Sequence, residues 1–519
     1  MYNDTLTFRK TMGDVDVLWH DGLYHLFHLV LPNHDFIAHA VSRNGLDWQR
    51  VDNALFIGHP GGWDDHMLWT MHVSADPHHE GQWRMFFTGL SRTDKGEVQR
   101  IGLARSDDLY HWKKVADHWD IRSHRKHDGS EGVAANYDAD SHFPLSAAAP
   151  HYECSLREGR EWISWRDPFY FRHEDRGYLL TAGRVADGPV IRRGCVGWYE
   201  EVAPDKFRLL PPLHRPGQYD DIEVPNLLKI GDYFYLIGSI REDRKIRYWY
   251  SKSLDGPWKN FFDNVLLAQG NYAGRISHDI HGPLLWNFFT VDGDAKNHLN
   301  IMPPPKRLTT LPNGQLRVVP FEGFEQRIQS VCLHESLVPL IPLVNNQYAR
   351  WYCDNPKDCI TIESDGAFEG FLFNQQIDCF RFSATLNLEG DGKCGLIFRV
   401  DHESSDGYYL SLDLLKGVAQ LRAWGHRPGG RNEHAYEFKS LQSAYWKAES
   451  TNRCRISLLA LRDYIEFSLD DFVLLTLADQ TFRSGGIGCY VETARLRIEN
   501  PMLERLQTTA DTTHQLATG

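Results

Sequence analysis

No stretch of this 519-residue chain approaches the ~18 consecutive apolar residues that a membrane-spanning helix requires. Its opening residues, MYNDTLTFRKTMGDVDV, hold no apolar run of signal-peptide length, so a soluble, cytoplasmic protein is the expectation. Basic residues are in deficit: 56 Lys and Arg against 69 Asp and Glu give a formal charge of −13. That balance disfavours nucleic acid and anionic membranes as partners and is compatible with a neutral small molecule. Cysteine is sparse, nine residues without zinc-type pairing, which points to reduced, mostly buried thiols. The 26 histidines include neither an HExxH motif nor a ligand spacing at His72, His78 and His79, so no metal is expected. Serine nucleophile elbows and phosphate-cradling glycine loops are missing as well, and no cofactor is expected.

What the chain has in quantity is aromatic residues: 16 Trp, 22 Tyr and 27 Phe. Many fall in a repeated phrase. Five strand-like runs, YHLFHLV, WRMFFTGL, GYLLTAGR, YFYLIGSI and LLWNFFTV, begin at Tyr24, Trp83, Gly177, Tyr233 and Leu284. Several are followed by a second strand, a polar turn and a tryptophan, as in IAHAVSRNGLDW to Trp48, IGLARSDDLYHW to Trp112 and IRYWYSKSLDGPW to Trp258. A unit of roughly 50 residues with about four short antiparallel strands is a propeller blade. Five units predict an all-β chain with a five-bladed β-propeller over residues 1–305, interrupted by a His-, Asp- and Ala-rich insertion at 116–160. A generic β-sandwich would lack the repetition of the whole phrase. Residues 306–340, with a proline run and an Asn313-Gly314 turn, read as a linker. The short alternating strands of 341–505 predict a β-sandwich, and 506–519 a frayed tail.

Three acidic residues precede strand pairs by about ten positions: Asp14 in GDVDVLW, Asp167 in WRDPFYF and Glu223 in DIEVPNLL. The first strand of each blade lines a propeller's central channel, so these carboxylates should converge there. A lone Asp in a loop most often serves a turn. Three in equivalent blade positions instead satisfy the need of glycosidases for an acid that protonates the leaving oxygen and a second carboxylate that attacks carbon or activates water. Asp16, Asp220 and Asp221 compete for the same roles, and strand alternation places Asp14 and Asp16 on one face.

These same segments resemble glycoside hydrolase family 32, the invertase and fructanase family, whose five-bladed propeller is shared with families 43, 62 and 68. The resemblance rests on Arg166-Asp167-Pro168, GDVDVLWHDGLYHLFH, AHAVSRNGLDW, WRMFFTG, IGLARSDDLYHW and the segment PPPKRLTTLPNGQLRVVP. It implies that Asp14 is the nucleophile, Glu223 the general acid/base and Asp167 the transition-state stabiliser, with Arg166 beside it. It further implies retention through a covalent glycosyl-enzyme, for which the two carboxyls stand ~5–5.5 Å apart, against ~6.5–9.5 Å for inversion. The chain departs from the family in GDVDVLW, which lacks the usual Asn-Asp-Pro-Asn run, and in Glu223-Val224-Pro225, where the family has Glu-Cys-Pro. These departures fall on the sugar-shaping segment, and the resemblance still makes fructosides the first expected substrate class. Arabinofuranosides, with inversion and Asp14 as a base, are the alternative, and a non-catalytic sugar-binding propeller is a second.

Further substrate-binding candidates are His39, Trp69, Tyr272 and Arg275. For Trp69 a stacking wall competes with simple core packing. For His39 a satisfied structural histidine, and for Arg275 with Asp279 a role in holding the fifth blade, are the competing readings. The partner expected is a small-molecule or oligosaccharide substrate. The C-terminal sandwich is expected to brace the propeller, and it would permit a homodimer.

Overall fold

The computed structural model of the chain describes residues 1–2, 11–115, 143–156, 160–261, 263–290, 300–331, 337–339, 349–355, 358–426, 436–446 and 452–508. They form two compact units, residues 1–266 with 271–316 and residues 267–270 with 317–519. Both are β-structures. Helix among the described residues is confined to two short 3-10 turns, Val190–Arg192 and Glu322–Arg327.

The first unit is a five-bladed propeller. Each blade is an antiparallel sheet whose strands follow chain order, and blade 1 carries one additional short strand, Leu55–Phe56. The innermost strands are Thr11–His20, Met67–Ala75, Trp165–His173, Glu223–Ile230 and Asn271–Asp279. Each innermost strand packs against those of both neighbouring blades, which closes the ring. The aromatic runs of the sequence are the second strands, Leu23–Leu31, Trp83–Leu90, Arg176–Arg184, Tyr233–Ile240 and Gly282–Phe289. They are buried because the sheets stack face to face. Phe27, Met71 and Phe87 share one core between blades 1 and 2, and Leu180, Trp198, Leu236 and Trp249 share another between blades 3 and 4. Burial of this kind stabilises by ~1.5–3 kcal/mol per large apolar side chain. The tryptophans that end the repeated phrase, Trp112 and Trp258, pack against those cores from the outside.

Turn chemistry fixes the hairpins. Asp21 and Gly22 both take positive φ, 47° and 76°, between His20 and Leu23, the geometry of a type I′ turn that matches strand twist. The ends of the ring meet where Asn300 donates its backbone N–H to Thr11 Oγ1 (2.8 Å) and its side-chain amide to the Met12 carbonyl (3.1 Å).

Two expectations need correction. Residues 306–319 do not begin a linker, because Lys306–Thr310 and Leu316–Val319 are the third and fourth strands of blade 5. The Asn313-Gly314 turn joins them, with Gly314 at φ +85°. The insertion at 116–160 also has a packed portion. Phe143, Leu145, Ala147 and Tyr152 are buried in the core between blades 2 and 3, whereas 116–142 and 157–159 lie outside the described residues.

The second unit is a sandwich-like, nearly closed sheet of thirteen strands. Its long strands Cys359–Gln376 and Gly486–Leu506 pair with each other through most of their length, with register shifts where they bend. An alternating pattern such as that of Phe380–Glu389 sends Phe380, Phe382, Leu386 and Leu388 into one apolar core. The residues beyond 508 of the expected tail lie outside the described residues.

Candidate active site

All five innermost strands share a defect at the same height. Each carries a β-bulge, with register shifts between Met12 and Val15, Trp69 and Met71, Arg166 and Phe169, Glu223 and Asn226, and Tyr272 and Arg275. A bulge inserts a residue without a cross-strand partner and re-aims its side chain. Asp14, Thr70 and Asp167 are themselves bulged residues, and Glu223 and Tyr272 are the last paired residues before theirs. In blades 3, 4 and 5 the first bulged residue, Asp167, Val224 or Ala273, takes a left-handed φ of 60°, 49° or 51°. Such a conformation costs of order 1–3 kcal/mol in a non-glycine residue and persists where the surroundings enforce it. Here the enforcing bonds are visible: Asp167 N–H donates to Thr88 Oγ1 (3.1 Å), and Val224 N–H donates to Asp167 Oδ2 (2.9 Å).

The bulges bring Asp14, Asp167 and Glu223 together around a cavity of about 220 Å³, which Gly13, Leu29, Leu31, His34, Trp69, Thr70, Arg166, Val224, Tyr272 and Phe288 also line. Every carboxylate has a partner. Thr70 Oγ1 donates to Asp14, and the Tyr272 hydroxyl donates to Glu223. Arg166 Nη2 donates to Glu223 Oε1 at 2.6 Å and to Asp221 Oδ2 at 3.2 Å, while its Nε lies 3.6 Å from Asp167 Oδ2.

Crowding of like charges in a buried site sets the protonation. Burial, then the neighbouring Asp167 and Glu223, push the Asp14 carboxyl up to about 7, against the opposing pull of the Thr70 hydrogen bond and Arg275. Burial also raises Glu223, helped by Asp167 and Asp221 and opposed by Arg166 and the Tyr272 hydroxyl. Asp221 goes the other way: burial would raise it, but Arg166 and Arg160 hold it below the usual carboxylate range. Two carboxyls whose burial favours the protonated form, beside a third held toward the ionised form by its arginines, are the arrangement that acid–base chemistry on a polar bond uses.

Of the sequence candidates, Asp14, Asp167, Glu223, Arg166, Trp69 and Tyr272 meet at this cavity. His39 does not. It is fully buried inside blade 1, stacked on Phe27 and hydrogen-bonded to His25 at 3.1 Å, and burial pushes it down to about 3. Arg275 is also absent from the lining, and its fork is taken up by backbone carbonyls. Asp279 bridges blades, accepting from Tyr24 Oη (2.7 Å) and from Arg307 (2.7 Å). Asp16 lies below Asp14, accepting from Val73 N–H (2.7 Å) with His72 Nδ1 at 3.1 Å. His78 and His79 face Glu201 and Asp76, each at 3.1 Å, and so share no site with His72. The sequence reading missed Thr70 and His34. Thr70 directly follows Trp69 and was within reach of the same reasoning. His34, at φ 59° beside Trp69 with ring centroids 6.0 Å apart, carried no motif signal.

Residues 9–132 match the family described as Glycosyl hydrolases family 32 N-terminal domain. Among curated proteins the chain has no match. Solved structures share its fold along nearly the whole chain. A fructan 1-exohydrolase IIa from Cichorium intybus superposes with a TM-score of 0.65 at 14% identity, covering 97% of this chain and 96% of that one. An exo-inulinase from Aspergillus awamori gives 0.64 at 14% identity, covering 97% and 98%. A sucrose-6-phosphate hydrolase from Lactobacillus gasseri gives 0.61 at 15% identity, covering 94% and 91%.

Proposed function

We propose that the chain, whose residues 9–132 match the family 32 N-terminal domain, is a glycosidase that hydrolyses β-fructofuranosidic bonds, or those of a closely related furanoside, by double displacement. The observation that supports this reading is the convergence of Asp14, Asp167 and Glu223, from three blades, on one small cavity. A cavity of that size lies below the ~300–1,000 Å³ of drug-sized ligand sites and suits one terminal sugar unit, hence exo action. The chicory exohydrolase and a Schwanniomyces occidentalis fructofuranosidase of the same fold were solved with 1-kestose and with fructose.

In this mechanism Glu223, whose burial favours the protonated form, gives its proton to the glycosidic oxygen as that bond breaks. Asp14, ionised, attacks the anomeric carbon and forms a glycosyl ester. Its hydrogen bond from Thr70 orients the attacking carboxylate. Glu223, now an anion stabilised by Arg166 and Tyr272, takes a proton from water, and the resulting hydroxide equivalent displaces Asp14. Asp167, its carboxylate held by Val224 N–H, accepts hydrogen bonds from ring hydroxyls that strengthen as positive charge develops on the sugar. Trp69 and His34 form an aromatic wall against one face of the ring.

The test is to incubate the protein and its Glu223→Gln variant with sucrose, inulin, levan and aryl furanosides and follow sugar release. Fructose released by the parent and not by the variant supports the reading. Release from arabinofuranosides alone would replace the fructoside assignment, and no release from any of them would remove it.

A further inference from the structure

Arg275 takes no part in the reaction just described, yet its guanidinium reaches every blade of the propeller. It follows directly after the bulge of blade 5 and is fully buried. Nη2 donates to the carbonyls of Met71 in blade 2 (3.1 Å) and Pro168 in blade 3 (2.7 Å), and Nη1 to that of Pro225 in blade 4 (3.3 Å). Nε lies 3.6 Å from Asp16 Oδ1 in blade 1. The three carbonyls belong to bulged residues or to the residue next to one, in the segments that carry Thr70, Asp167 and Glu223. A guanidinium keeps its charge and presents its donors in a rigid fork, so one side chain can fix several backbones at once. Because its hydrogen bonds go to neutral carbonyls, its charge remains available to the nearby carboxylates.

We propose that Arg275 is a positioning residue for the glycosidase reaction: it sets the spacing of the bulges that carry the three carboxylates and supplies the buried positive charge that lets Asp14 ionise beside Asp167. The proposal rests on the reading of Asp14 as nucleophile. The groups facing Arg275 are Asp16, Asp167 and Asp14, and Asp16 in turn faces His72. Those facing Asp14 are Asp167, Thr70, Glu223, Arg275 and Tyr272. Removing the cation therefore makes Asp14 harder to ionise. Removing the Asp16 charge frees more of the cation's field for Asp14 and makes it easier.

The experiment compares pH profiles of kcat and kcat/KM for the parent protein, Arg275→Lys, Arg275→Met and Asp16→Asn, with melting curves and near-ultraviolet circular dichroism to establish folding. Arg275→Met should lower kcat by about 100-fold and move the acid limb up by about one pH unit, with KM changed less than about threefold. Arg275→Lys keeps the charge but cannot span three carbonyls. It should lose about tenfold in kcat with the acid limb in place. Asp16→Asn should move the acid limb down. A residue that only held the fold together would move none of these limbs. Should Arg275→Met fail to fold, the Asp16→Asn profile decides, and an unmoved limb there overturns the proposal, as does an unmoved limb in a folded Arg275→Met. Titration of the Asp14 carboxyl by carbon-13 NMR, assigned by the resonance lost in Asp14→Asn, reads the same displacements without any substrate. It separates failure of this proposal from failure of the fructoside reading.

Discussion

Replacing Tyr272 by Phe removes one hydroxyl and leaves the ring that lines the cavity. In the parent protein that hydroxyl donates to Glu223, and the bond favours the charged carboxylate. A hydrogen bond to a charged group contributes ~1.5–3 kcal/mol, and each pKa unit is ~1.4 kcal/mol, so its loss raises Glu223 by about one to two units. Two features favour the lower figure. Arg166 keeps its 2.6 Å bond to the other oxygen, and the Glu223 side chain is 14% exposed, enough for water to occupy part of the vacated position. The general acid then holds its proton to higher pH, and the alkaline limb of kcat/KM moves up by about one unit. The assay is the pH dependence of kcat/KM for Tyr272→Phe and the parent on one aryl fructofuranoside. An alkaline limb that stays put, or moves down, would refute the assignment of Glu223 as the acid under Tyr272 control.

Asp14→Asn should lower kcat about 10⁴-fold or more, measured on the same substrate, because the proposed nucleophile is gone. It should also stabilise the fold at alkaline pH. Asp14 titrates near 7 in the folded chain against 3.8 ordinarily, so its charge costs nothing below about pH 4, increasingly more through the interval, and at most roughly 4 kcal/mol above pH 7. The variant should therefore melt higher than the parent at pH 8 and at the same temperature at pH 4. Trp69→Ala should raise KM about tenfold with kcat within a few-fold, the worth of one aromatic contact at ~1–1.5 kcal/mol. His39→Ala should leave KM unchanged and cost about 2–3 kcal/mol of stability by denaturant titration, since the residue packs inside blade 1 and away from the cavity.

The blade repeat was legible because the second strand of each blade is buried on both faces, which forces a continuous aromatic and β-branched run such as YHLFHLV or YFYLIGSI. The convergence of Asp14, Asp167 and Glu223 followed from that frame. The bulges were not legible. An extra residue in a strand leaves no mark on composition, and the alternation rule could only put Asp14 and Asp16 on a common face. The bulge at Gly13-Asp14 is what separates them, one at the cavity and one beneath it on His72 and Val73. Arg275 was a candidate sugar ligand because its blade position lies near the mouth of the channel, with a role in holding the fifth blade as the competing reading. That its Nη donors go to three carbonyls depends on contacts between strands 50 or more residues apart, which no local pattern records. Asn313-Gly314 was read as a linker turn because a proline run precedes it, and the pairing of its flanking strands within blade 5 is a tertiary fact.

Retention requires Asp14 to become covalently bonded to the sugar during each turnover. Its most direct test is to mix Glu223→Gln with an aryl fructofuranoside whose leaving group needs no protonation, quench, and map the protein by mass spectrometry. Double displacement should give one equivalent of released phenol and a single fructosyl adduct on the peptide carrying Asp14, because the missing base stalls deglycosylation. Turnover without any adduct, together with an inverted anomer in the initial product by NMR, would contradict it and make Asp14 a base acting on water.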